Sequence, residues 1–210
     1  MTYCVWSSGH LALTGEDPDD VRRTIEEAIA LAEAAKAPFL LYMAYLAKAT
    51  ADSGWDLHET VRHFASRCLE VIGHAGRMIF LAHVYYFLAL ASLELADRDT
   101  AEFAYRKGLA LVPLTPAWHV GRYEYLRGRL LAAEAAPDLA GAAAAFERAI
   151  AADQAQGVAV PAAQTRYWLA RVQAERGDLR TARAGLRDLE HRFEVWGIPV
   201  WARKCARAPG

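Results

Sequence analysis

A three-residue helical pattern, repeated five times at a nearly constant interval, constrains this chain more than any other feature of its sequence. Val21, Ile25 and Ala28 stand at i, i+4 and i+7. The set recurs as Val61, Ala65 and Cys68, and again as Ala101, Tyr105 and Gly108. Ala142, Phe146 and Ala149, then Ala182, Leu186 and Leu189, complete it, with steps of 40, 40, 41 and 40 residues between first members. Residues so spaced share one face of an α-helix. A constant period of this size signals stacked helical hairpins, because one hairpin can cover its apolar face only against the next. The small members Ala28, Gly108 and Ala149 belong where two helices of a hairpin cross closely.

Chain breakers fall between these units. Pro38, Pro113, Pro116, Pro161 and Pro199 follow the second helices of repeats one, three, four and five, and proline stops a helix but suits the first turn of another. Gly73 and Gly76 close repeat two instead. Turn residues stand at Gly15, Ser53-Gly54, Asp97-Arg98-Asp99, Pro137-Asp138 and Gly177-Asp178. Asp17 is placed to cap a helix opening with Pro18, with Asp20 at its third position. Asp56 with Glu59, and Asp99 with Glu102, have capping-box spacing. Paired helices are expected over 2–14 and 18–36, 38–53 and 56–74, 77–96 and 99–112, 116–135 and 138–156, and 159–176 and 178–196. A short closing helix follows over 199–207. The expected fold is an all-α superhelical solenoid of about five antiparallel pairs with a short capping helix at its C-terminal end. It forms one domain over 1–210, with repeats at 2–36, 38–74, 77–113, 116–157 and 159–196.

Apolar residues make up 54% of the 210 and charged residues 23%, a globular mixture. Cys4, Cys68 and Cys205 are far apart and form no C-x-x-C, which fits a reducing cytosol. The first residues lack the basic-then-apolar pattern of a signal peptide. Met78 to Leu93 is the most apolar stretch but has only 16 residues, including His83 and Ser92, where a membrane span wants about 20. A soluble, cytoplasmic protein with no membrane partner is expected. Arg outnumbers Lys 20 to 4 and Asn is absent, a bias that suits a GC-rich bacterial genome. Residues 1–60 carry 4 basic and 10 acidic groups, 61–159 carry 10 of each, and 160–210 carry 10 basic and 5 acidic. The resulting −6, 0 and +5 fit uneven drift over solvated helix faces best, with head-to-tail self-association or docking on neighbouring domains as the functional alternative. No basic-aromatic motif points to nucleic acid.

Repeat three carries Tyr85, Leu88, Ala89 and Ser92 on its first helix and Ala101, Tyr105, Gly108 and Pro113 on its second. Repeat five has Leu169, Ala170, Gly177, Ala182, Leu186 and Leu189, and repeat four Gly128, Ala142, Phe146 and Ala149. Repeats one and two show Val5, Gly9 and Ala12, and Leu46 and Ala47. This order of bulky and small positions resembles the tetratricopeptide repeat (TPR). The usual TPR period is about 34 residues, so a 40-residue unit is closest to the long TPR regions of bacterial LuxR-class activators, antibiotic regulatory proteins and some adenylate cyclases. The resemblance implies an interaction scaffold, or the sensor region of a signalling or transcriptional regulator. Chaperone-tail receptors of the family clamp a carboxylate with asparagines and lysines, which this composition excludes.

No G-x-G-x-x-G, P-loop or G-x-S-x-G is present, and no cofactor is implied. His58, Glu59 and His63 approximate H-E-x-x-H, but a five-residue step turns about 500° and separates the two histidines around a helix. No metal site is expected. Cys68 fills a small triplet position and reads as core rather than nucleophile. The TPR resemblance puts first helices on a concave side, with Trp6, Ala44, Tyr86, Tyr125 and Tyr167 in one column. His10, Lys48, Leu90, Arg129 and Arg171 form the next, and Leu41, His83, Arg122 and Gln164 flank them. Tyrosines give rigid apolar area with a polar tip and arginines grip carboxylates. Trp6, Lys48, His83, Tyr86, Arg122, Tyr125, Arg129, Tyr167 and Arg171 are therefore the candidate binding residues, with no catalytic residue among them. The same tyrosines can instead be inter-helix core, with the arginines reaching past them. Three functions stay open: a non-catalytic protein–protein interaction module, a receptor for an acidic peptide or small molecule, and an enzyme without a recognisable local motif.

Overall fold

Each of the five apolar triplets lies on a helix and turns inward. In the computed structural model, residues 18–72, 80–114 and 117–208 are described. They form α1 (Pro18–Ala34), α2 (Pro38–Gly54), α3 (His58–Ile72), α4 (Leu81–Glu94) and α5 (Arg98–Leu109). A 3-10 turn at Val112–Leu114 follows, then α6 (Trp118–Ala132), α7 (Leu139–Ala155), α8 (Ala159–Glu175), α9 (Leu179–Val195) and α10 (Pro199–Arg207). No strand occurs among the described residues. Triplet members are buried throughout, apart from Tyr105, which is half-buried. The helices bearing them start at Pro18, His58, Arg98, Leu139 and Leu179, which reproduces the spacing of the sequence pattern. The expected helix at 2–14, Gly15, Asp17, Gly73, Gly76 and Pro116 lie outside the described residues.

The chain divides into two compact units, Met1–Leu111 and Val112–Gly210. In the first, α2 packs on α1 and α3, α4 packs on α3 and α5, and α2 also touches α4. In the second, α6 to α9 each pack on the next helix in sequence, and α6 touches α8. Three-residue connections such as 55–57 and 176–178 join neighbours whose length is many times greater, so consecutive helices must run back along one another.

Two capping expectations are corrected by the structure. Asp97, not Asp99, caps α5, its carboxylate accepting the Thr100 amide at 3.2 Å. Asp56 is not the cap of α3 but the residue that ends the turn after α2, in left-handed conformation at φ 59°. Asp138 and Asp178 cap α7 and α9 by accepting the amides of Gly141 at 2.8 Å and Thr181 at 3.2 Å. Left-handed residues recur at the helix ends as Lys36, Asp56, Ala96, Gly157, Gly177 and Gly197. The turn pattern is thus one left-handed residue, followed by an aspartate cap after Ala96 and Gly177, with Gly in the role in the second unit and other residues in the first among the described residues.

Candidate functional site

The first-helix columns of the sequence reading are mostly interior. In the first unit Ala44 is fully covered, Tyr86 is 7% exposed and Lys48 8%. Lys48 sits one turn before Asp52 on α2, and this i, i+4 spacing brings Nζ within 2.9 Å of Oδ1. Asp52 is entirely buried and its Oδ2 makes no hydrogen bond. Lys48 is therefore committed to neutralising an internal carboxylate, and the notion of it as an open cation is replaced by a buried ion pair, with Phe64 beneath the ammonium. His83 is also interior, edge-on to Phe87 at 4.6 Å and stacked near Tyr86 at 6.2 Å. Trp6 lies outside the described residues.

The second unit brings the other candidates together. Arg129 on α6 donates from Nη1 to the Tyr125 hydroxyl oxygen at 2.9 Å, one helical turn back. Its Cζ lies 3.5 Å from the centroid of the Trp168 ring on α8. Arg171, one turn beyond Trp168, places its Cζ 4.7 Å from the same ring. Two guanidinium groups thus share one indole, each held by attraction to the ring quadrupole. Tyr125 and Arg129 are buried, Arg171 is half-buried, and Arg171 has no carboxylate partner among the described residues. The Trp168 Nε1–H is buried and makes no hydrogen bond.

Tyr167 extends the cluster. Burial pushes its hydroxyl above the ordinary range, while hydrogen-bonded Arg171 pulls it back. Its ring packs edge-on against Trp168 at 5.4 Å and against Trp201 of α10 at 5.5 Å. Arg122 is half-buried and faces Asp153 of α7. Trp168 was missing from the sequence candidates. Its signal was its place next to a column tyrosine and three residues before a column arginine.

Both cysteines among the described residues are sequestered. Cys68 is fully buried, with its thiol pushed well above the ordinary range by burial, and burial raises the Cys205 thiol to about 11. A thiolate, not a thiol, attacks electrophiles, so neither cysteine is poised as a nucleophile. Among the described residues no group of three or more His, Cys, Asp or Glu could hold a metal ion, and no helix is long and apolar enough to cross a membrane. His63 packs edge-on against Phe64 at 5.0 Å. What the second-unit cluster can do chemically is hold positive charge at a fixed place over aromatic surface. Comparison of the chain with protein-family models, curated proteins and solved structures finds no match to any of them.

Proposed function

We propose that this chain is a non-catalytic, TPR-like interaction module, a superhelical solenoid of five helix pairs. In this reading it serves as a protein scaffold or as the sensor region of a bacterial signalling or transcriptional regulator. Its second unit grips a carboxylate-bearing, partly apolar segment of a protein partner. The observation that carries this is the pair Arg129 and Arg171 over Trp168, with Arg171 half-buried and lacking a carboxylate. Two cations over one ring repel each other, and an incoming carboxylate offsets that repulsion while accepting charge-assisted hydrogen bonds. The regular packing of each helix on its sequence neighbour supports the scaffold part, because such arrays display side chains on fixed rows.

Selection of a displayed peptide library on the intact protein tests the proposal. Acidic sequences containing an aromatic or aliphatic residue are expected to be enriched. Arg171→Ala is expected to weaken the selected peptides about tenfold or more, the value of one charge-assisted hydrogen bond. Arg171→Lys should not restore them, since an ammonium cannot form the planar fork. Enrichment without acidic bias, or affinity unchanged in Arg171→Ala, removes the reading. Arg171 is the better probe than Arg129, whose burial makes truncation a packing defect as well.

A further inference from the structure

Exposed charge is uneven along this chain, and on two helices part of it lies outside the ion pairs formed among the described residues. On α9, Arg180, Arg183 and Arg187 stand at i, i+3 and i+7. Arg180 and Arg187 are about 10 Å apart along the helix, and Arg176 is exposed in the turn that precedes it. Arg176, Arg180 and Arg187 have no ion pair among the described residues, and the nearby Asp188 is taken by Arg192 at 2.8 Å. Earlier in the chain Arg22, Arg23, Arg62, Arg67, Arg98 and Arg148 each meet a carboxylate, while the exposed Arg106 and Arg127 stand singly on their helices outside the ion pairs among the described residues.

The reverse holds on α1. Glu26 and Glu27 are exposed and have no ion pair among the described residues, whereas Asp19 and Asp20 are paired with Arg22 and Arg23. Apolar groups accompany both surfaces. Leu31, one turn past Glu27, is 59% exposed, and Leu179 and Val195 at the two ends of α9 are 45% and 70% exposed. Unpaired guanidinium with exposed aliphatic carbon on one helix complements unpaired carboxylate with exposed aliphatic carbon on the other.

We propose that the arginine strip of α9 docks on the Glu26–Glu27 face of α1 in a second copy of this chain. A polyanion such as RNA fits less well, because residues 1–159 carry 14 basic and 20 acidic groups, a net of −6, and would repel it. The two surfaces are different patches, so the contact is heterologous. Each copy carries both patches, so the contact joins copies as a reciprocal pair, a ring or a longer chain, each of which raises the mass.

Sedimentation of the full chain at increasing concentration tests this. In about 10 mM salt, where the screening length is ~30 Å, the weight-average mass should rise with concentration above the 23.2 kDa monomer. In about 1 M salt, where that length is ~3 Å, it should return to the monomer. The double variant Arg180→Glu/Arg187→Glu should be monomeric, as should Glu26→Arg/Glu27→Arg, and an equimolar mixture of the two should reassociate. All four positions are exposed, so unchanged helical circular dichroism is expected in both variants. A wild type that stays monomeric in low salt overturns the proposal, and so does association that survives either reversal. A mixture that fails to reassociate overturns it as well, as does short RNA binding the strip of a wild type that does not self-associate.

Discussion

A Cβ built on Gly128 would lie 2.5–2.9 Å from the ring atoms of Phe146, a triplet residue with no solvent exposure. Glycine there is a consequence of how closely α6 approaches α7, and the ring has nowhere to retreat. Gly128→Ala should cost about 1–3 kcal/mol by overpacking, read as a lower urea midpoint at unchanged slope. Asp153, on the same helix as Phe146, is a different kind of strain. Burial raises its carboxyl to about 6, with Arg122 opposing the shift. Its folded value thus lies above its unfolded one near 3.8. Between about pH 4 and pH 6 the folded state binds more protons, so stability falls as pH rises through that window. Asp153→Asn should flatten that part of the stability–pH curve and be the more stable protein at pH 7. Parallel curves for wild type and variant between pH 4 and 7 would show that the carboxylate is not the cause. Ala96 occupies a left-handed turn at φ 58°, where glycine has no steric penalty. Ala96→Gly should raise the thermal midpoint, by about 0.5–1 kcal/mol of stability once relief of strain is set against unfolded-state entropy.

At the scale of elements, the starts of α5, α7 and α9 are fixed by capping aspartates and the apolar faces by the triplets. Asp97→Ala removes the acceptor of the Thr100 amide and should cost about 1 kcal/mol, measurable by chemical denaturation. Asp99→Ala, the cap expected from spacing alone, should cost less, because its side chain accepts no helix-start amide. Both aspartates fit the sequence rule, and the left-handed residue Ala96 decided between them by ending the preceding turn one residue before Asp97. α10 shows the same dependence on neighbours. Its Trp201 packs on Tyr167 at 5.5 Å and on Phe193 at 5.8 Å, closing the apolar cluster of the second unit. Trp201→Ala should destabilise by roughly 2 kcal/mol, below the 3–5 kcal/mol of a fully buried tryptophan because this one is half-buried.

For the whole molecule, what matters is that within each unit the described helices touch neighbours in sequence or next neighbours. Such local contacts close short loops and lower the entropic barrier, so the main refolding phase should fall in the microsecond-to-millisecond range. Stopped-flow or temperature-jump fluorescence of the tryptophans measures it. A dominant phase of seconds that prolyl isomerase does not accelerate would contradict the local-contact picture.

By itself the sequence determined the all-helical class, the beat of about forty residues and the inward face of the second helices. Each of these follows from periodicity and chain breakers, which act over a few turns. Helix spans agreed to within four residues at either end across the described chain. Tertiary structure decided the fate of the charged and aromatic columns. Lys48 was absorbed by Asp52, a pairing its i, i+4 spacing already hinted at, and Tyr86 went inside. Arg129 and Arg171 met over Trp168 only because α6 lies against α8. A carboxylate one turn away, like Asp52 for Lys48, is set by the helix itself, but whether a face meets indole or water is set by elements some forty residues away.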